Sequence, residues 1–592
     1  MKRIKWIGLI FSVTILYLYS QGVATKAQEN AFDWKSDWSV AEGFAIDIDT
    51  EGYSLPTAIA FVPNPGDGPK DPLYFVTEIR GQVKVVTNDR TIYTFAEDFF
   101  NLEVKEELPS GQGQGGLAGI CLEPKTGYVY VTFSYQDKTQ ILRNNIMRFE
   151  TEPGTFAIKP SSQTAFTDIF INAESGLAHQ IGPCQINHDL LYVSVGEAWQ
   201  TSKSQDLDVM VGKVIRMTLD GKPVPENPFY EDDDLSKTAN FVWAYGLRNP
   251  FSLKIVDDRV FVADNGQNID RFMELHEGQN YFWNGNDWSI ATNADFVFSP
   301  SLAPAQMDYL PGDSSLFPEE YRNTFFLDVS GWVARNKIPG VVTLKYGFEE
   351  NRLVAVPEYF LKYRSSPEQT LAGLAFGPDG LYIVPILPNQ EGKTAILKIT
   401  YDPDVGHPFQ VMQTDDPKAL LTEKGCLGCH SVGGEGGFGG AAGPNLERDP
   451  MVERIQARLD APSYKLVVDE INKLDREPFT DYKEAREEIL AAQDLDKVRL
   501  WVKYHILEPK FDNAYSQMPN MGLTEQEASL VADYLIKPNQ DEANQGFLTR
   551  VRKQLLPRDL SGRHLVFSFA FGFMVAILLA AAWWLVRSFI WK

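Results

Sequence analysis

A Cys-x-x-Cys-His run near the end of the chain has the residue types and spacing of a covalent haem site. Cys426 and Cys429 are separated by two residues, and His430 follows at once. Two thiols so spaced can form thioethers to the two vinyl groups of one porphyrin, and the adjacent imidazole can bind the iron. A redox pair or half of a zinc site is the alternative, but zinc needs two more ligands and the chain has no second such pair. The run predicts a c-type haem and electron transfer.

A second axial ligand for the iron is expected downstream. Met518 stands directly before a proline, and a thioether ligand suits a haem of high reduction potential. Met521 is the rival, although most methionines serve packing. Thr524 and Glu527 then have the spacing of a capping box, which predicts that a helix begins there. The sequence favours Met518 as the sixth ligand.

Residues 416–540 resemble the small class I cytochromes c. Asp416-Pro417 has the form of a helix N-cap and first turn, and Gly443-Pro444-Asn445-Leu446 matches the loop after the attachment site in that family. The resemblance implies an all-α cytochrome c domain. It also implies a periplasmic site, where haem is attached to such proteins in bacteria. One departure is the stretch from Met451 to Phe511, rich in helix formers, which we interpret as an inserted helical hairpin.

The first 27 residues have the layout of a secretory signal peptide. They contain a basic start, an apolar run and two small residues: Lys2, Arg3, Lys5, the run from Trp6 to about Tyr19, Ala24 and Ala27. An uncleaved signal anchor is the alternative, but the apolar run is short for a membrane span.

Residues 565–586 are apolar, carry no charge and are long enough to cross a bilayer as a helix. Arg587 and Lys592 follow, so the positive-inside tendency places the short tail in the cytoplasm. Residues 541–564 form a juxtamembrane segment in this interpretation. We therefore expect an inner-membrane protein with one C-terminal span and the bulk of the chain in the periplasm.

The composition limits the classes of function that the protein can have. The 592 residues suffice for two or three domains, and 79 acidic against 55 basic residues give a net charge of −24, which argues against nucleic-acid binding. Two cysteines remain beyond the haem run, Cys121 and Cys184. In an oxidising compartment they could form a disulfide, or they could stay buried thiols.

Residues 33–402 carry short β-type runs separated by Gly, Pro, Asn and Asp, with no long helical period. Pairs of such runs recur about every sixty residues, with a gap around Phe325 where one more unit would fall. This period predicts an all-β propeller of about six four-stranded blades, rather than an array of β-sandwiches. Residues 403–415 then form a linker to the cytochrome domain.

Several short motifs follow one another in the propeller region. In chain order they are Gln114-Gly115-Gly116-Leu117, His179, Tyr192-Val193-Ser194-Val195-Gly196, Gly212-Lys213-Val214-Ile215-Arg216, Asn227-Pro228-Phe229 and Gly246-Leu247-Arg248-Asn249-Pro250. Together they resemble the glucose/sorbosone dehydrogenases, six-bladed propellers that bind pyrroloquinoline quinone (PQQ) and calcium. The Gly-Leu-Arg-Asn-Pro motif is the most specific element.

The resemblance implies a role for each matching residue. His179 would be the general base that takes the proton of a sugar's anomeric hydroxyl, and Arg248 would polarise the quinone carbonyl. Asn249 and Gln114 would hydrogen-bond the cofactor. The backbone carbonyls of Gly266 and Gln267 would bind calcium, although the family usually has proline where Gln267 stands.

One departure concerns the cofactor's carboxylates. The family places further basic residues in the last blades, whereas residues 370–383 contain none, and Arg335 and Lys337 are the possible substitutes.

These interpretations predict a quinohaemoprotein that oxidises an aldose or related alcohol at PQQ and passes electrons to its own haem. A downstream cytochrome or a membrane oxidase would then accept them. The alternative is a propeller without cofactor that serves as a docking part of a respiratory complex, with the cytochrome alone redox-active.

Overall fold

The computed structural model describes residues 37–537 except for several segments and single positions: 104–113, 158, 172, 287–288, 290–292, 300, 331–338, 364–368, 389–393, 405–415, 425, 433–434, 437–442, 517, 519–520 and 522. The predicted signal peptide, juxtamembrane segment and transmembrane helix lie outside the described residues. Among the helices described, none has both the length and the apolar character needed to span a bilayer.

Runs of β-branched and aromatic residues between Trp38 and Tyr401 form six antiparallel sheets. Each sheet is one blade, and the innermost strands of neighbouring blades contact each other around a closed ring. The predicted six-bladed propeller is therefore confirmed.

Two N-terminal strands, β1 (Trp38–Val40) and β2 (Phe44–Tyr53), belong to the last two blades. Blade 1 contains β3 (Pro56–Phe61), β4 (Pro72–Glu78), β5 (Gln82–Thr87) and β6 (Ile92–Ala96). Blade 2 contains β7 (Leu117–Glu123), β8 (Tyr128–Gln136), β9 (Leu142–Glu150) and β10 (Ser162–Ala165). Blade 3 contains β11 (Ile181–Asn187), β12 (Leu190–Val195), β13 (Lys213–Thr218) and β14 (Val242–Tyr245).

Blade 4 contains β15 (Ser252–Val256), β16 (Arg259–Asp264), β17 (Asp270–Leu275) and β18 (Phe296–Phe298). Blade 5 joins β1 to β19 (Pro304–Leu310), β20 (Thr324–Val329), β21 (Gly340–Gly347), the short β22 (Arg352–Leu353) and β23 (Glu358–Tyr363). Blade 6 joins β2 to β24 (Leu371–Gly377), β25 (Gly380–Pro385) and β26 (Thr394–Tyr401). Strand β20 fills the interval around Phe325 where the repeat left a gap. Short 3-10 turns lie at Thr167–Ile169, Thr201–Gln205, Thr238–Phe241 and Glu319–Tyr321.

The apolar core lies between adjacent blades. Phe75 of blade 1 packs with Val129 and Phe149 of blade 2, while Phe44 and Phe360 meet edge to face where blades 5 and 6 adjoin. Aromatic pairs of this geometry stabilise a core beyond the area they bury. The blades are thus held to one another by side chains, while each blade is held together by its backbone ladder.

A disulfide between Cys121 and Cys184 also joins two blades. Cys121 lies on β7 and Cys184 on β11, with their Cα atoms 5.8 Å apart. The sequence left open whether these cysteines pair, and in the structure they cross-link the innermost strands of blades 2 and 3.

Seven helices are described after the propeller: α1 (Pro417–Glu423), α2 (Cys426–Cys429), α3 (Arg448–Asp460), α4 (Pro462–Ile471), α5 (Lys483–Ala491), α6 (Asp494–Leu507) and α7 (Glu525–Ile536). The strands β27 (Ser431–Val432) and β28 (Glu435–Gly436) pair as a minimal hairpin. The inserted segment is therefore four helices, and the predicted helical hairpin is wrong. Ala461 has an extended backbone, as a residue before proline prefers, so Pro462 ends one helix and begins the next.

The predicted start signals of α1 and α7 are confirmed. The Asp416 side chain accepts the backbone N–H of Lys418 at 3.0 Å. Thr524 and Glu527 form the capping box: Thr524 N–H donates to Glu527 Oε2 at 2.8 Å, and Glu527 N–H donates to Thr524 Oγ1 at 3.2 Å. Lys424, just after α1, forms an ion pair with Glu527 at 3.1 Å and so links the two helices.

Candidate functional site

The predicted propeller residues all lie on connections that open on one face. Gln114 precedes β7, His179 precedes β11, and Arg248 and Asn249 precede β15, so each stands where the chain enters the innermost strand of a blade. Gly266 follows β16 on the turn between the second and third strands of blade 4. In an antiparallel blade that turn lies on the same face as the entry to the first strand. The topology therefore gathers the predicted site at one end of the propeller.

The Gly-Leu-Arg-Asn-Pro loop is fixed by a buried carboxylate. Asp264 Oδ1 accepts the backbone N–H of Arg248 at 3.1 Å and that of Asn249 at 2.7 Å. Its Oδ2 accepts Arg271 Nη2 at 2.9 Å, and both side chains of this ion pair are 0% exposed. Gly246 has a φ of +76°, and a Cβ there would lie 2.2 Å from Asn280 Oδ1, so glycine is required. The motif is a rigid platform rather than a mobile loop.

His179 is held by a chain of buried groups. Its backbone has a φ of +53°, and its carbonyl accepts the N–H of Ala198 at 2.9 Å. Nδ1 lies 3.2 Å from Glu197 Oε1, and Trp283 Nε1 donates to Glu197 Oε2 at 2.7 Å. Because a carboxylate only accepts, Nδ1 carries the proton and Nε2 is left as the basic atom.

The surroundings keep this imidazole neutral. Burial lowers the pKa of His179, and the nearby Arg248 charge lowers it further, while the Glu197 hydrogen bond and charge raise it less. Burial raises the pKa of Glu197, but hydrogen bonds from His179 and Trp283 and the Arg248 charge bring it below its ordinary value. At neutral pH the pair is thus a neutral base beside a charged carboxylate.

Arg248 and Asn249 lie beside this pair. Arg248 Nη1 donates to the Asn265 carbonyl at 2.7 Å, and its guanidinium lies 5.6 Å from the Trp283 ring centroid. A Cβ on Gly196 would lie 2.5 Å from the His179 carbonyl oxygen and 2.8 Å from Asn249 Oδ1, so both approach the same glycine. The structure therefore brings His179, Arg248 and Asn249 together.

Asn249 also carries an unsatisfied acceptor. Its Oδ1 is buried and has no hydrogen-bond partner among the residues described, and the same is true of Gln180 Oε1. Leaving a buried amide oxygen without a partner is unfavourable. A polar ligand with donor groups fits such a site.

Gln114 joins the site through its backbone. Its carbonyl accepts Gln180 Nε2 at 2.7 Å, directly after the His179 position, and the next carbonyl, of Gly115, accepts Arg80 Nη1 at 3.0 Å. A Cβ on Gly116 would lie 1.8 Å from the Ile79 carbonyl oxygen, so this turn also needs glycine. Arg80, an exposed residue, thus supplies a second guanidinium near the same face.

The two predicted calcium ligands stand directly after Asn265. Gly266 N–H donates to Asp270 Oδ1 at 2.9 Å, which fixes the turn and leaves its carbonyl as a candidate ligand. No cluster of three acidic, histidine or cysteine side chains that could hold a metal occurs among the described residues. A calcium site at Gly266 and Gln267 would be built mainly from backbone carbonyls, and it stays a prediction. Arg335 and Lys337 lie outside the described residues.

Sequence reasoning missed four functional neighbours: Glu197, Trp283, Asp264 and Arg80. Glu197 directly follows the Val195-Gly196 strand end, and an acidic residue just after a buried strand was the available signal. Trp283 reaches Glu197 from 86 residues away, a contact that only the fold reveals.

The candidate haem site lies in the helical region. Cys426 is a buried cysteine at the start of α2, and His430 N–H donates to the Cys426 carbonyl at 2.9 Å. His430 Nδ1 lies 2.7 Å from the Pro444 carbonyl, so the proton is on Nδ1 and Nε2 is free to bind a metal. Cys429 ends α2, and its side chain is outside the description. Met518 and Met521 are both half-buried, so the choice between them stays a prediction.

Comparison with known families now adds to this geometry. Residues 54–328 match the family model described as Glucose / Sorbosone dehydrogenase. The match covers less than half of the chain, and over these residues the propeller is similar to this family. Members of the family are oxidoreductases, and the matched region contains every predicted cofactor and catalytic position of the propeller, from Gln114 to Gln267.

Individual proteins are also similar to parts of the chain. An aldose sugar dehydrogenase of Escherichia coli is 30% identical over 103 residues, 17% of this chain and 27% of the relative, so the match spans about a quarter of that protein. An uncharacterized protein of Synechocystis is 24% identical over 316 residues, 47% of this chain and 71% of the relative. The apo-form crystal structure of the soluble Escherichia coli aldose sugar dehydrogenase covers 60% of this chain and 99% of its own, at 18% identity and a TM-score of 0.46.

Proposed function

We propose that the propeller is a PQQ-dependent dehydrogenase of aldose sugars or related alcohols, and that its electrons go to a c-type haem in the same chain. The observation that carries this proposal is the neutral His179 held by buried Glu197 beside Arg248 and the unsatisfied Asn249 Oδ1. The family match of residues 54–328 and the printed names of the relatives support it.

The residues present fit PQQ. The cofactor would contact Arg248, Asn249 and Gln114, and the Arg248 and Arg80 guanidinium groups offer positive charge for its carboxylates. When bound, PQQ supplies a two-electron acceptor for hydride. Gly266 and Gln267 carbonyls would hold calcium, a hard cation that prefers oxygen ligands.

The chain's own residues supply the proton chemistry. His179 Nε2 accepts the hydroxyl proton of the substrate, and the imidazolium that forms is stabilised by Glu197 through Nδ1–H. Arg248 stabilises negative charge that develops on the oxygen beside it. Trp283 keeps the Glu197 carboxylate in place.

The helical region would hold haem through Cys426, Cys429 and His430, with Met518 as the sixth ligand. Haem supplies a one-electron acceptor of fixed position. Holding it on the same chain replaces a diffusional encounter by an intramolecular one. A downstream cytochrome or a membrane oxidase would be the next acceptor, and residues 565–586 would anchor the protein in the inner membrane with its bulk in the periplasm.

Optical spectroscopy of the haem tests the proposal. Full-length protein is incubated with PQQ and Ca²⁺, a panel of aldoses and alcohols is added, and reduction of the haem bands is followed together with reduction of an added dye. We expect sugar-dependent reduction of both. A Cys426→Ser, Cys429→Ser double variant should lose the haem bands and keep dye reduction. Failure of every sugar and alcohol, with no PQQ bound, would instead support the docking alternative.

A further inference from the structure

Trp199 is an exposed aromatic residue against the predicted base, and Phe282, a second exposed aromatic residue, lies on a neighbouring loop. Among the tryptophans and phenylalanines that the structure describes, only Trp199 and Phe282 are largely exposed, at 55% and 49%. Trp199 is two residues from Glu197, and Phe282 precedes Trp283, so each is adjacent to a member of the hydrogen-bonded chain that holds His179. Exposed aromatic rings beside a reactive group often contact the ligand.

Trp199 is presented by an unusual turn. Ala198 has a φ of +52° and Trp199 a φ of +59°, and Gln200 N–H donates to the Glu197 carbonyl at 2.7 Å. Two successive left-handed residues in a tight turn are normally Asn or Gly, because a Cβ disfavours this conformation. The turn is held by Ala198 N–H on the His179 carbonyl and by Glu197 N–H on the Arg248 carbonyl. The fold thus maintains a strained backbone that keeps the indole outward.

The indole lies within ligand distance of the base. Its ring centroid is 5.8 Å from that of the His179 imidazole, at an interplanar angle of 69°. A hydroxyl hydrogen-bonded to His179 Nε2 is therefore within one sugar ring of Trp199. Gln205 Nε2 donates to the Trp283 carbonyl at 3.1 Å, so the loop that follows Trp199 is also tied to the loop that carries Phe282.

A pyranose ring and an aromatic side chain have complementary surfaces. A pyranose ring has faces of axial C–H groups, which pack favourably on the electron-rich face of an aromatic ring. A short open-chain alcohol has no such face. We propose that Trp199 stacks on a face of the sugar ring whose anomeric hydroxyl lies at His179, and so makes the site selective for cyclic aldoses. This inference rests on the proposed function.

Steady-state kinetics with a dye acceptor test it. Trp199→Ala should raise KM for glucopyranose by roughly tenfold, because the stacking contact is lost in the ground and transition states alike, and kcat should change by less than about twofold. Trp199→Phe should recover most of the loss. Phe282→Ala is the matched control, since Phe282 is exposed in the same left-handed conformation (φ +63°) but does not carry the indole contact to His179.

The outcomes separate the two proposals. Folding of each variant is checked by its melting temperature. If the wild type oxidises sugars and Trp199→Ala leaves KM unchanged, or Phe282→Ala raises it equally, the inference about Trp199 falls and the dehydrogenase function stands. If the wild type oxidises no sugar, both fall.

Discussion

The propeller and the helical region hold their functional histidines in different ways. His179 is fixed by Glu197, which is fixed by Trp283 from the next blade, and the flanking loop is anchored by the buried Asp264–Arg271 pair. His430 is fixed by the Pro444 carbonyl, only 14 residues further along the chain. The candidate propeller site is built from contacts distant in sequence, whereas the proposed haem site rests on a local motif. A local motif carries its own support, whereas the groups that support His179 become visible only in the fold.

Removing the propeller histidine should have the largest effect. His179→Gln should lower kcat for sugar by roughly 10³-fold, because the neutral imidazole that accepts the substrate proton is lost. Dye-linked turnover measures the loss. His188→Gln is the control, because His188 also has a left-handed backbone but its side chain is 73% exposed and pairs with Asp258. A similar loss in both variants would contradict the assignment of His179.

Disrupting the buried Asp264–Arg271 ion pair should have the second-largest effect. Asp264→Asn should lower the free energy of unfolding by about 3 kcal/mol or more, since the buried Arg271 would keep its charge and lose the carboxylate that balances it. Chemical denaturation followed by tryptophan fluorescence measures this. Asp258→Asn removes an exposed carboxylate and should leave the unfolding midpoint nearly unchanged. Equal midpoints for the two variants would show that the platform does not depend on Asp264.

The prediction of the propeller from sequence succeeded because the strands are local patterns. Ile59 pairs with Val76, and Phe376 pairs with Leu381, as the alternating runs and their turns imply. Closure was not predicted: β2 pairs with β26, and β1 joins blade 5. Pairing between the two ends of a region leaves no signal in either end alone.

The residues of the candidate site were also only partly predictable from the sequence. His179, Arg248 and Asn249 were found through motif resemblance, and the structure brings them together. Glu197 was missed although it directly follows a recognised motif, because its importance depends on Trp283, 86 residues away. In the helical region the capping box was predicted in full, since Thr524 and Glu527 are three residues apart. The inserted helices were undercounted because the break at Pro462 was overlooked.

Replacing Glu197, the carboxylate hydrogen-bonded to His179, should have a smaller effect that depends on pH. The base must be neutral, so kcat/KM of the wild type should fall as the pH drops through a pKa below 6.5. Glu197→Gln removes the hydrogen bond and charge that raise this pKa, while Arg248, which lowers it, remains. The acid limb should therefore move to lower pH, and the maximal rate should fall roughly 30-fold because the tautomer is no longer fixed. An acid limb that moves to higher pH would contradict this account.

The smallest effect is expected in the helical region. Thr524→Ala removes one half of the capping box and should destabilise the start of α7 by about 1 kcal/mol. Hydrogen exchange of the α7 amides measures the local loss, and dye-linked sugar oxidation should be unchanged. Thr480→Ala, at an exposed threonine outside any described helix, is the control. Loss of sugar oxidation in Thr524→Ala would show that the two regions are not independent.

The pairing of β2 with β26 joins two strands that are synthesised at very different times. Thr394 Oγ1 on β26 donates to the Tyr53 carbonyl across a separation of 341 residues. At a synthesis rate of roughly 5–20 residues per second, β2 waits about 20 to 70 s for its partner. During that time blade 6 does not exist, and the strand edge of β2 is open to pairing with other chains. Ring closure needs residues 394–401, which are synthesised before the proposed haem motif at Cys426 to His430.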